Sequence, residues 1–229
     1  MSMYYWILLI GVAAVSYAVQ ASLKSKFKRY SRIPLQNGMT GADVARKMLQ
    51  DSGIYDVTIT STSGHLTDHY NPSNKTVNLS ESVYASCSVA AAAVAAHECG
   101  HAVQHARMYA PLRMRSALVP VVSFASQWVT WLILGGMLFF SSEWGQNLML
   151  GGIILFATTT FFSFVTLPVE IDASRRALVW LSSAGITNVH NHSQASSALR
   201  SAAYTYVVAA LASLANLIYY IVLYMGRRN

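Results

Sequence analysis

Apolar residues gather into four long runs: Met3 to Leu23, Ala117 to Phe140, Leu148 to Leu167 and Tyr204 to Met225. Each is long enough, or nearly so, to cross a hydrocarbon core of about 30 Å. Only Ser141-Ser142-Glu143-Trp144-Gly145-Gln146 parts the second run from the third, so these two read as a transmembrane hairpin. Between the first and second runs polar residues return and the period changes. From Thr40, an N-cap candidate, apolar residues at 44, 45, 48 and 49 keep helical spacing, and Gly53 supplies a stop. Val57 to Thr60 then alternates as a strand. Leu66 to Tyr70 and Thr76 to Ser80 flank the turn Asn71-Pro72-Ser73-Asn74 as a β-hairpin. The Ala-rich run from Ser88 to Ala96 has high helix propensity. This pattern predicts a mainly α membrane protein: one domain over residues 1–229 with four transmembrane helices and a small α+β part.

Composition sharpens that picture, since 54% of the residues are hydrophobic and only 11% charged, which excludes an ordinary soluble domain. Charge orients the chain. Fourteen of the 16 Lys and Arg lie in segments 24–116 and 168–203, and the other two are Arg227 and Arg228 at the C-terminus. Four crossings put those two segments on one side, and the positive-inside rule makes it the cytoplasm. The first run lacks a basic leading region and has Lys24, Lys26, Lys28, Arg29 and Arg32 behind it, so it reads as a retained anchor rather than a signal peptide. The net charge of +7 then reflects topology and contact with anionic lipid. No nucleic-acid module is visible, and the bilayer is the expected partner.

The chemistry concentrates in His97-Glu98-Cys99-Gly100-His101. Residues i and i+4 of an α-helix point the same way, so His97 and His101 can share one metal ion, and neutral imidazoles suit zinc. Glu98 stands beside the first ligand and is the expected general base toward a water that the metal acidifies. His105 is two turns beyond His97, too far to join the same ion. Cys87 and Cys99 fall on the side inferred to be cytoplasmic, where thiols stay reduced, and Cys99 projects away from the metal as a small core residue. The hairpin strand Leu66, Thr67, Asp68, His69 and Tyr70 is either plain scaffold or an edge along which an extended peptide could pair. Tyr206 in the last run is a candidate oxyanion donor. His190 and His192, in the stretch Thr187 to His192, read as a surface loop.

Several segments together resemble the YugP-like neutral zinc membrane metallopeptidases of bacteria. They are Thr40-Gly41, Gly64 to Pro72, Lys75 to Ser80, Ala95 to Gln104, Leu167 to Ala177 and Thr205-Tyr206-Val207, in that order over nearly the whole chain. The resemblance implies a zinc peptidase of the bacterial cell membrane, distantly similar to the HtpX type, with one zinc per chain and a peptide or membrane-protein substrate. Within it Glu170 is the expected third ligand. A carboxylate would complete a His₂Glu set, and among the four Glu it alone returns to the cytoplasmic side at the end of a span, just after Pro168, where a new helix can start. Asp172, two residues on, is the alternative, and a Glu170 ion pair with Arg175 or Arg113 is the bland one. HtpX-type enzymes carry an Asp four residues after the third ligand to support a zinc histidine, whereas this chain has Ser174 there, so Asp172 is also the candidate for that support. The competing class is a zinc-binding membrane scaffold or chaperone partner without turnover, against which the intact Glu98 argues.

Overall fold

The computed structural model describes residues 3–228. In chain order the elements are α1 (Met3–Tyr30), α2 (Gly41–Asp51), β1 (Thr58–Thr62), β2 (His69–Asn71), β3 (Thr76–Ser80), α3 (Glu81–Tyr84), α4 (Val89–Ala106), α5 (Ala110–Leu138), α6 (Glu143–Ser183) and α7 (His192–Arg228). The chain is mainly helical, and α1, α5, α6 and α7 are long and apolar enough to cross a membrane. It divides into two compact units. One holds the chain up to Tyr17, Arg113–Leu167 and the chain from Tyr206 on; the other holds Ala18–Leu112 and Pro168–Thr205.

In the first unit α5 and α6 form the expected hairpin. Ser142 Oγ accepts from the Gly145 N–H at 3.1 Å and donates to the Phe139 carbonyl at 2.7 Å, which closes the turn. The turn is shorter than the sequence suggested, because Glu143 to Gln146 already belong to α6. The two helices touch closely: a Cβ on Gly136 would fall 2.6 Å from the Met149 backbone nitrogen. Only a glycine allows that approach.

The long helices outrun their apolar runs, α6 most of all. It continues for 41 residues through Pro168, so no new helix starts there. Proline removes one hydrogen bond and costs about 3 kcal/mol in a helix interior. Packing holds the chain helical all the same: Val165 and Val169 on either side of the proline are buried.

The second unit has a core of α2, α4, the sheet and the end of α6. Thr40 caps α2 as anticipated, its Oγ1 accepting from the Asp43 N–H at 3.1 Å while Asp43 Oδ2 accepts from the Thr40 N–H at 3.1 Å. That contact, with Arg46 adding to it, holds the Asp43 carboxyl below its usual range. Gly53 follows with φ of +74°. Val44, Ala45, Met48 and Leu49 face the alanines of α4, which are buried on every side from Val89 to Ala93. Small side chains there let neighbouring elements come near a stretch of helix that has no solvent face.

The sheet order is β1-β3-β2, with β1 parallel and β2 antiparallel to the central β3. The hairpin is present in the register Tyr70↔Val77, but its first strand is shorter than the sequence suggested. Leu66 adopts φ of +60°, and the Asp68 carboxylate accepts from the Ser80 N–H at 2.7 Å and from its hydroxyl. Leu66, Thr67 and Asp68 therefore form a side-chain-fastened loop, and only His69, Tyr70 and Asn71 are strand.

Candidate metal centre

The second unit contains one group of residues, among those described, able to hold a metal ion: His97, His101 and Glu170, whose ligand atoms lie within 4.8 Å of one another. His97 and His101 stand one turn apart on α4, their rings 4.8 Å between centroids and nearly perpendicular. Glu170 comes from α6. Its Oε2 lies 3.3 Å from His97 Nε2 and 3.7 Å from His101 Nε2. Zinc bonds of 2.0–2.1 Å place tetrahedral ligands about 3.4 Å apart, so this donor set fits the ion. All three side chains are largely withdrawn from solvent, Glu170 most completely.

Each imidazole is held by its other nitrogen. His97 Nδ1 lies 3.1 Å from the Ser174 hydroxyl, and His101 Nδ1 lies 3.1 Å from Gln104 Oε1. Gln104 is fully buried, and its amide nitrogen donates to the Val169 carbonyl at 2.8 Å and to Asp172 Oδ2 at 3.0 Å. Both amide hydrogens are thus spent on acceptors. Oε1 must accept, His101 carries its proton on Nδ1, and Nε2 offers a lone pair to the centre. Burial alone would push the His101 imidazolium down, but the Glu170 and Glu98 carboxylates and the Gln104 oxygen outweigh it and raise its pKa above the usual histidine value.

Asp172 is placed beside this group, not in it. Besides Gln104 it binds Arg175 at 2.9 Å and Arg176 at 2.5 Å, so its oxygens are occupied and it acts on His101 through the glutamine. Arg175 is thereby engaged with Asp172. Ser174, where the HtpX type has its Asp, contacts His97 directly.

Glu98 follows His97 on α4 and is 8% exposed. Its Oε2 accepts the Tyr70 backbone N–H at 3.0 Å. In β2 that N–H points away from β3, so the free edge of the sheet lies along α4 at Glu98. The Tyr70 hydroxyl lies 2.8 Å from His105 Nδ1, two turns further on, which places His105 with the strand. His69 is exposed, its Nδ1 near the Thr67 carbonyl at 2.8 Å. Cys99 is buried with Sγ near the Ala45 carbonyl at 3.5 Å, and burial and then Glu98 push its thiol pKa up. It is the core residue the helix phase suggested. Tyr206 belongs to the other unit, on α7 and 38% exposed. His190 is exposed, while His192 Nδ1 pairs with Thr187 Oγ1 at 2.9 Å at the start of α7.

Two residues of this site escaped the sequence reading. Gly100 has no Cβ, and one built there would lie 2.7 Å from the Ala173 carbonyl oxygen. The only trace in the sequence is a glycine inside a helix that would otherwise favour alanine. Gln104 leaves no trace beyond standing three residues after a ligand.

Over residues 5–225 the chain matches a family described as "Putative neutral zinc metallopeptidase". It is 41% identical over 222 residues to the "Putative membrane protease YugP" of Bacillus subtilis (strain 168), with 97% of each chain covered. No solved structure gives a significant match.

Proposed function

The chain belongs to this neutral zinc metallopeptidase family, and from that premise we propose that it is a membrane-embedded protease of the HExxH-plus-Glu type, binding one zinc per chain through His97, His101 and Glu170. One observation carries the reading: three ligand atoms converge at zinc spacing while both imidazoles are fixed by their outer nitrogens. Zinc, when bound, polarises a peptide carbonyl and lowers the pKa of a water toward about 7. Glu98 would take the proton of the attacking water as its oxygen adds to the carbonyl carbon and pass it to the leaving amine as the C–N bond breaks. Tyr70 holds one carboxylate oxygen of Glu98 and leaves the other for the water. No acyl-enzyme forms, because no side chain attacks the carbonyl.

The substrate is a peptide or a membrane protein; the outward N–H of Tyr70 is held by Glu98, so β2 does not offer that donor to an extended segment. Segments 24–116 and 168–203, and with them the active site, are assigned to the cytoplasmic face of the bacterial cell membrane, a reading supported by four apolar helices and by the Lys and Arg concentrated in those segments. The purified protein in detergent, incubated with casein or a peptide library, should cleave it; chelator and Glu98→Gln should each abolish cleavage. Equal cleavage by Glu98→Gln would refute the mechanism, and zinc binding without cleavage would leave a scaffold.

A further inference from the structure

A second cavity in the same unit has no part in the proposed chemistry. It measures about 1030 Å³ and is lined by Lys26 of α1, the loop after α6 and the first turns of α7. On α7 the lining residues Ser193, Ser196, Ser197, Arg200 and Tyr204 recur at helical spacing and so occupy one face. This face holds hydroxyls and a guanidinium. No acidic side chain among the described residues lines the cavity. Lys26 Nζ donates to Ser201 Oγ at 2.7 Å, which fixes the ammonium and leaves two N–H groups. Arg200 is exposed and pairs with no carboxylate among the described residues. Two cations and a row of hydroxyl donors thus face one open space, with no carboxylate among the described lining residues to balance their charge.

We propose that this cavity binds a phosphate group, presented as the headgroup of an anionic phospholipid. Guanidinium forks and ammonium groups bind phosphate oxygens through charge-assisted bonds, and serine hydroxyls complete the shell. The position suits a headgroup. Lys26 follows the first apolar run by three residues, and Tyr204 opens the last one, where aromatic side chains sit at the membrane surface. Phosphatidylcholine also carries a phosphate, but its choline cancels the charge that the two cations select for.

The full chain in detergent is titrated with phosphatidylglycerol or phosphatidylcholine, and bound lipid is counted by native mass spectrometry. The first phosphatidylglycerol should bind about tenfold or more tightly than phosphatidylcholine, since each basic residue near the headgroup adds attraction for the anion. Lys26→Gln with Arg200→Gln should erase that preference. Lys28→Gln with Arg29→Gln, which removes equal charge outside the cavity, should keep it. Arg200→Gln alone, at an exposed position, should weaken it with helicity unchanged. Inorganic phosphate separates the sources: if it raises the thermal midpoint of the wild type but not of the Lys26/Arg200 variant while phosphatidylglycerol shows no preference, the site takes a soluble phosphate compound. Equal loss in both double variants would reduce the effect to surface charge and overturn the proposal. So would unchanged binding in the Lys26/Arg200 variant, or indifference to both lipid and phosphate.

Discussion

A Cβ on Gly100 would lie 2.7 Å from the carbonyl oxygen of Ala173, so α4 and α6 meet backbone to backbone between the two histidines and one turn after Glu170. The missing methyl sets how near Glu170 stands to His97 and His101. Gly100→Ala should therefore part the helices and lower zinc affinity by about tenfold or more, the range expected when a ligand's support is displaced. Alanine raises helix propensity by about 1 kcal/mol, so weaker α4 could not be the cause. Zinc content and competition with a chelator measure it; a variant with wild-type affinity would show that the close approach is incidental.

Gln104 and Ser174 each hold one imidazole, yet their loss should not cost the same. Gln104→Leu leaves His101, the Val169 carbonyl and Asp172 each short of a partner in a buried place, at about 1–3 kcal/mol for an unsatisfied group. Ser174→Ala removes one contact to His97. We expect the first to lower both the thermal midpoint and zinc affinity, and the second to lower affinity alone by about tenfold. The reverse order in chelator competition would contradict this account of the site.

Zinc binding should expel more of a proton at neutral pH than an unshifted imidazole would. The folded metal-free protein holds the His101 pKa above its ordinary value of 6.5, so protonated His101 stabilises that state below about pH 6.5 and the contribution fades as pH rises through the folded value. The metal needs the neutral ring. Calorimetry at pH 7 in buffers of different ionisation enthalpy should report proton release that declines at higher pH, with zinc affinity falling as the solution is acidified. Zero release at pH 7 would mean that the carboxylates do not raise His101.

The Tyr70 N–H serves Glu98 and not the sheet, so Tyr70→Pro removes it without taking a rung from the ladder, as edge strands tolerate. Turnover should fall by about tenfold or more with zinc retained, since the proposed base loses the donor that orients it. Tyr70→Phe, which loses only the contact with His105, should change kcat little. If the two variants behave alike in kcat, the backbone contact has no catalytic meaning.

Topology has its own test. A reporter fused to the C-terminus should be active only outside the cell, and one placed between α6 and α7 only in the cytoplasm. Arg227 and Arg228 stand against the charge rule, so a cytoplasmic C-terminal reporter would mean that α7 does not cross or that the orientation is inverted.

Much of this protein is written locally. Four apolar runs, the Thr40 N-cap, the 3.6-residue phase of α2 and the i, i+4 pair His97 and His101 depend on neighbours within a turn or two, and sequence exposes such relationships directly. The place of Glu170 beside the histidines was legible too, through its motif and the need of a two-span hairpin to return to the surface it left. The sequence misjudged places where a distant group outbids local propensity. Pro168 signalled a helix start, but α6 runs on through it, its flanking Val165 and Val169 buried. Leu66 to Asp68 read as strand, but the Asp68 carboxylate fastens to Ser80 and bends them out of the ladder. Of the supports of the site the sequence offered only Asp172; Gly100 against Ala173, Gln104 as the link from Asp172 to His101, and Ser174 on His97 lay beyond it. The partners on α4 and α6 stand 68 or more positions apart, and a hydrogen bond or a missing methyl acts only over a few ångströms, so only the packed chain could bring them within reach of one another.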